Sequence, residues 1–259
     1  MNILFVGDIV GEPGRRVMMK RLHKVIAQHQ VDVVIGNGEN AAGGFGITPD
    51  IASDLFDLGL AVITLGNHAW DKKEAVDFIQ KDSRVLRPAN YPDGVPGRGS
   101  MVIDTASGES LGILQLMGRV FMPILDCPFR VAEREVASLR ERTQAIIVDM
   151  HAETTSEKMA MGHFLDGKVS AVVGTHTHVQ TADEQILPKG TAYLTDIGMT
   201  GPQNSVIGMK ADIVIQKFLL QTPRRFEVAQ GPAVLRAALI EVDAITGKAI
   251  GIQRLQVHE

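Results

Sequence analysis

The chain has 259 residues, 45 % of them apolar and 22 % charged. That is enough apolar surface for a large core and too ordinary a charge content for extensive disorder. A net charge of −4 and a pI near 6.1 argue against a grip on long nucleic acids, which needs a basic surface. A single cysteine, Cys127, leaves no pair for an intramolecular disulfide. Met1–Val6 lacks a signal-peptide pattern, and no apolar run reaches the roughly 20 residues a spanning helix needs. The expectation is a cytoplasmic protein without a membrane partner.

In chain order, Asn2–Gly7 reads as a buried strand, and a helix-like segment begins near Gly14, after Pro13. Val31–Gly36 is a second strand. Thr48 is placed as an N-cap with Pro49 at the first helical position. Ala61–Gly66 is the next strand, and Asp71 with Glu74 three residues on forms a capping-box pattern. Gly99–Met117 reads as two strands around Ser107-Gly108, a hairpin. Gln144–Met150 and Val169–Thr175 are further strands. Between them, Thr154 and Glu157 repeat the capping-box spacing before Lys158–Leu165. Strand-like runs follow at Glu184–Leu187, Thr191–Leu194, Ala233–Val242 and Lys248–Val257, with a helix at Met209–Leu220 among them. Alternating strands and helices predict parallel βαβ units, while the hairpin and the late strands add antiparallel sheet. An α/β sandwich of two sheets with helices outside, in one domain over residues 1–259, accounts for both. There is no internal repeat, low-complexity tract or long linker.

The strand ends carry the chemistry. ILFVG ends in Asp8, VVIGNG in Glu39-Asn40, VITLG in Asn67-His68, AIIVDM in His151 and AVVGT in His176-Thr177-His178. Ligands of open α/β sheets bind beyond the carboxyl ends of the strands, so these residues can converge although they span about 170 positions. Taken singly, an Asp or Asn after a strand is a turn or cap residue, and a His there is a hydrogen-bonded core residue. Five such endings on one side of a sheet call for a common cause. Imidazoles, carboxylates and carboxamides without a thiolate suit Mn, Fe or Zn better than Ca or Mg. The set exceeds what one tetrahedral zinc needs and fits two metals sharing a carboxylate. Two metals about 3.5–4 Å apart can generate a hydroxide and clamp the attacking and leaving oxygens of an in-line displacement, as in phosphoester hydrolysis.

The strings GDIVG, GNGEN, LGNH, the strand-end His151 and GTHTH resemble the motif series of the calcineurin-like metallophosphoesterases. GENAAGGFG, LGNHAWDKKE, LRPANYP, GTHTHVQTAD and LPKGTAYLTDIGMTGP narrow the resemblance to the bacterial YmdB-like branch, over nearly the whole chain. The resemblance implies an αββα sandwich and a 2′,3′-cyclic nucleotide phosphodiesterase. It implies one metal held by Asp8, Asn40 and His178, another by Asn67, His151 and His176, and Glu39 as the bridge. Metal-bound hydroxide would attack phosphorus while His68, not a ligand, protonates the leaving oxygen. It also implies a homo-oligomer, for which Met117–Pro128 is an apolar segment able to face a partner or to pack internally. The wider superfamily opens on Asp-x-His, whereas Val10 stands here, and it bridges with Asp, whereas Glu39 stands here. Ala69-Trp70 follow His68 before Asp71, which leaves the residue that orients His68 open.

A phosphomonoesterase or protein phosphatase would use the same ligands, and a regulator that binds metal or nucleotide without turnover is the rival outside enzymology. Gly43-Gly44 and Gly46 either face an anion with their amides or form a plain turn. Asp196 follows a strand-like run and is left as a supporting or structural residue. His23, His29, His163 and His258 read as non-catalytic, and Arg15-Arg16 and Arg224-Arg225 are too few to form a nucleic-acid surface.

Overall fold

The computed structural model describes residues 1–259. The chain runs β1 (Asn2–Val6), β2 (Asp8–Ile9), α1 (Gly11–His29), β3 (Val33–Asn37), α2 (Pro49–Asp57), β4 (Val62–Thr64), α3 (Ala75–Lys81) and β5 (Val85–Leu86). It continues through β6 (Ser100–Asp104), β7 (Ser110–Met117), α4 (Pro128–Arg140), β8 (Ala145–His151), α5 (Thr155–Leu165) and β9 (Ala171–Thr175). It ends with β10 (Gln185–Ile186), β11 (Ala192–Leu194), β12 (Met199–Pro202), α6 (Ala211–Leu220), β13 (Ala233–Val242) and β14 (Ala249–His258).

Two mixed sheets result. The first is ordered β2-β12-β13-β1-β3-β4-β5, with β14 paired to β13; the second is ordered β10-β11-β9-β8-β7-β6. β1, β3, β4 and β5 run parallel, and β13 joins β1 antiparallel. In the second sheet β7, β8, β9 and β11 are parallel, and the β6–β7 hairpin closes one edge. Strand side chains alternate between faces, which sorts the core into layers. Ile3 and Phe5 of β1 meet Ile147 of β8 and Val173 of β9 between the sheets. Leu4 and Val6 face the other way, onto Val17, Met18 and Leu22 of α1. Ile146 and Val148 of β8 pack beneath Val136 of α4 and Met161 of α5. The order is helix, sheet, sheet, helix, the metallophosphoesterase type of sandwich.

Several local expectations fail. Helix α1 begins at Gly11, one turn ahead of Gly14, with Gly11 at φ +58°. Neither expected capping box forms. Asp71 lies four residues before α3, whose N-cap is Glu74 without a side-chain bond. Thr154 is the N-cap of α5, again without a side-chain bond, and the Glu157 carboxylate does not reach back to it but accepts the amides of Arg119 and Val120. The Thr48-Pro49 start is realised: Thr48 Oγ1 accepts from Ile51 N, and Pro49 is the first helical residue. Helix α4 escaped the sequence reading, although parallel β7 and β8 require a crossover there. Pro128 opens it, and Val131, Ala132, Val136 and Leu139 give its buried face. In Met117–Pro128 the side chains of Phe121 and Ile124 are exposed, and Phe121 has φ +59°.

Phe5 is fully buried between the sheets. Phe5→Ala is expected to destabilise the fold by about 3–5 kcal/mol, read as a lower urea midpoint at unchanged m-value.

Candidate metal centre

The carboxyl ends of β1, β3 and β4 in the first sheet and of β8 and β9 in the second meet at one edge of the sandwich. All eight residues singled out in the sequence lie there. His151, the last residue of β8, is their hub. Its Nε2 lies 2.9 Å from Asn67 Oδ1, 3.0 Å from Glu39 Oε1 and 3.1 Å from His176 Nδ1. One ring nitrogen offers one lone pair or one proton and cannot satisfy three neighbours at once.

The tautomer sharpens this. Thr175 Oγ1 donates its proton to Asp149 Oδ1 at 2.7 Å, so it accepts from His151 Nδ1–H at 2.9 Å. Nε2 is then the ligand nitrogen, fixed by its other nitrogen's hydrogen bond. Burial opposes a charge on His151, but Glu39, Asp8 and Asp149 outweigh it and push its pKa up to about 9. Burial also opposes the charge on Glu39, yet His151 and the His68 amide hold it down to about 2. Burial, then His151, push His176 down to about 3, so it is neutral. The point where the four donor atoms meet therefore draws a cation, and one ion shared by all of them would displace the His151 proton.

A second donor group adjoins the first. Asp8, at the start of β2, is fully buried, and its Oδ1 has no hydrogen-bond partner. His178 Nε2 lies 3.7 Å from that oxygen. Asn40 directs Nδ2 to Gly44 O at 3.0 Å, which leaves its buried Oδ1 unpartnered. An orphaned buried oxygen is costly unless an ion or water meets it, and each of these two oxygens fits a cation ligand. His178 Nδ1–H is tied to Ile207 O at 2.8 Å, which turns Nε2 inward.

Supporting residues set these positions. Thr64 Oγ1 of β4 donates to Asp149 Oδ2 at 2.7 Å, linking the first sheet to β8. His176 and His178 have φ of +93° and +66°, a strained region for non-glycine residues. Asp196 holds their loop: its Oδ2 accepts from Thr177 N and Thr177 Oγ1, and its Oδ1 from Gly198 N. Asp196 is paired with Lys158 Nζ of α5 at 2.7 Å, both groups buried. The sequence reading missed Lys158, because a lysine in an amphipathic helix reads as solvated. It missed Asp149 too, although a carboxylate inside the run AIIVDM was a visible signal. Gly43, Gly44 and Gly46 all have positive φ, which accounts for the glycines as a turn.

His68 sits beside the cluster. Its amide donates to Glu39 Oε2 at 3.1 Å, and Nδ1 lies 2.8 Å from Asp71 Oδ2. The acidic partner left open in the sequence is thus Asp71, and the capping role expected of it gives way to this bond.

A two-sheet αββα sandwich with histidines, carboxylates and carboxamides gathered at its strand ends defines a phosphoesterase of the metallophosphoesterase type. The chain belongs to the YmdB-like family, whose model matches residues 4–255. It is 48 % identical over 259 residues to a 2′,3′-cyclic-nucleotide 2′-phosphodiesterase of Bacillus subtilis, covering 100 % of this chain and 98 % of the relative. It is 35 % identical over 266 residues to a putative phosphatase/phosphodiesterase of Mycoplasma pneumoniae, covering 100 % and 94 %. A hypothetical protein from Thermus thermophilus superposes with a TM-score of 0.94 at 43 % identity, each chain fully covered. The sulfate thiohydrolase SoxB, at 10 % identity and a TM-score of 0.56, covers 96 % of this chain and 43 % of its own and shares the fold.

Two variants test this arrangement. A Cβ on Gly66 would overlap the His151 ring at Nε2, where the donor atoms meet. Gly66→Ala is expected to abolish metal uptake at unchanged far-UV circular dichroism, read by elemental analysis after dialysis. Lys158→Ala strands the buried Asp196 carboxylate and is expected to destabilise the fold by about 3–5 kcal/mol in urea. Adding Asp196→Asn should recover part of that loss.

Proposed function

We propose that the chain is a dinuclear-metal phosphodiesterase of the cytoplasm, a homo-oligomer acting on 2′,3′-cyclic nucleotides. The observation that carries this reading is the meeting of Glu39, Asn67 and His176 around His151 Nε2, with His68 at its side. One ion would be held by Asn67, His151 and His176, the other by Asp8, Asn40 and His178, with Glu39 between them. The thiolate-free donor set suits Mn or Fe, with Zn the alternative. When bound, the ions would supply an activated water and positive charge for the phosphoryl oxygens. The names of the relatives support a small phosphoester substrate, and the exposed Phe121 and Ile124 support the oligomer.

The chain's own contribution centres on His68. Asp71 accepts the Nδ1–H of this ring, which orients the imidazole and presents Nε2 to the cleft, and its carboxylate faces the imidazolium that a proton donor at Nε2 requires. As a water oxygen, its proton passed to solvent, bonds to phosphorus and the bond to one ribose oxygen breaks, the imidazolium would deliver its Nε2–H proton to that leaving oxygen and be left as the neutral Nδ1–H ring. The ring opens to a nucleoside monophosphate. The Glu39 carboxylate accepts the backbone amide of His68 and so ties the acid to the metal-binding residues.

Purified protein loaded with Mn or Fe should hydrolyse 2′,3′-cyclic AMP well above a phosphomonoester control. His68→Ala should lower kcat by about 10²–10⁴-fold with metal content unchanged. Asp71→Asn should give a smaller loss of kcat, again with metal content unchanged. Absence of turnover with two metals bound per chain would refute the cyclic-nucleotide reading.

A further inference from the structure

The cavity at the metal centre has a volume of about 570 Å³ and two chemically unlike ends. This size lies within the roughly 300–1,000 Å³ of small-molecule sites. One end is polar, with Glu39, Asn40, His68, His176 and His178. A phosphoryl group needs only that end. The other end is walled by Phe45, Met209, Val214, Phe218 and Phe226.

This apolar wall is built with some rigidity. Phe45 stands at the junction, its ring centroid 5.1 Å from that of His68 in an edge-on arrangement of 71°. The glycine loop that carries it is seated on the wall, since a Cβ on Gly44 would come within 2.9 Å of Met209 Cε and Val228 Cγ2. Val214 is buried at the base of α6, while Phe218, one turn on, remains 72 % exposed although it lines the cavity. Lys217 Nζ lies 4.6 Å from the Phe226 ring centroid and is the sole cationic side chain at this end.

We propose that the apolar end is a nucleobase subsite, in which Phe218, Phe226 and Met209 receive the planar base of the phosphoester while Phe45 separates base from phosphate. The inference rests on the phosphodiesterase reading and names the part of the substrate that the metal-binding residues do not touch. With one hydrogen-bonding side chain, Lys217, against several apolar ones, the subsite reads the base by stacking rather than by its donor and acceptor pattern. All four bases are accepted, purines ahead of pyrimidines because their larger faces cover more of the wall.

The test compares kcat/KM for the four 2′,3′-cyclic nucleotides and for base-free ribose 2′,3′-cyclic phosphate, in metal-loaded parent, Phe218→Ala and Phe218→Tyr. The parent should favour cyclic nucleotides over the base-free ester, with purines first. Phe218→Ala should shrink that preference by about tenfold, through KM, since base–aromatic stacking is of that order. Phe218→Tyr should keep it. Equal efficiency on base-bearing and base-free esters in the parent, or an unchanged preference in Phe218→Ala, overturns the subsite and leaves the diesterase reading standing. A change of oligomeric state in Phe218→Ala without a change of preference makes the wall an interface and also overturns it. Hydrolysis of neither ester refutes the diesterase reading itself, and the subsite falls with it.

Discussion

The site depends on a buried hydrogen-bonded chain that crosses from one sheet to the other. It runs from Thr64 on β4 through Asp149 on β8 and Thr175 on β9 to His151 Nδ1. Gln115 Nε2 on β7 adds a second crossing bond, to Leu65 O at 2.5 Å, just beyond β4. The centre of the layer between the sheets, around Ile3, Phe5, Ile147 and Val173, is apolar, and apolar contacts alone resist small sliding motions weakly. These directional bonds set the register of the two sheets at the edge where Asn67 comes from one and His151 from the other. A shift of an ångström there would separate the donor atoms that meet at His151 Nε2.

Charge is the second constraint. Asp8, Glu39, Asp149 and Asp196 are all fully or almost fully buried. Lys158 answers Asp196 directly. Asp8 and Glu39 have no lysine or arginine partner, only imidazoles. Their compensation is therefore a proton on His151 or a metal ion, so folding, protonation and metal uptake are linked in this protein. The same logic separates two kinds of buried acid: Asp196 holds the His176–His178 loop in its strained backbone conformation, whereas Asp8 keeps an oxygen free.

The two ends of the cavity follow from different parts of the fold. Its polar end is made of strand termini, which the sheets hold rigidly. Its apolar end is made of α6 and the connecting segments on either side, together with the glycine loop after β3. Chemistry is thus anchored in the core, while contact with the rest of the substrate is left to elements at the surface, where sequence can vary without disturbing the donor atoms.

Most of the strands and helices, the two-sheet sandwich and the residues that gather at its edge were legible in the sequence, whereas helix α4 and the short strands β2, β5 and β12 were not. Burial of Val- and Ile-rich runs is a local signal, and a polar residue ending such a run stands out against it. Thr48-Pro49 was legible for the same reason, since a cap and its amide lie three residues apart. The partners of side chains were not legible. Asp71 and Glu157 carried capping-box spacing, yet their carboxylates bind His68 and the Arg119–Val120 amides, which only the folded chain brings near. Thr64 and Asp149 are 85 residues apart, and Lys158 and Asp196 are 38 apart. A hydrogen bond or ion pair of that separation has no periodicity to betray it. Local burial patterns named the residues of the site, while packing of the two sheets decided which atoms of those residues face one another.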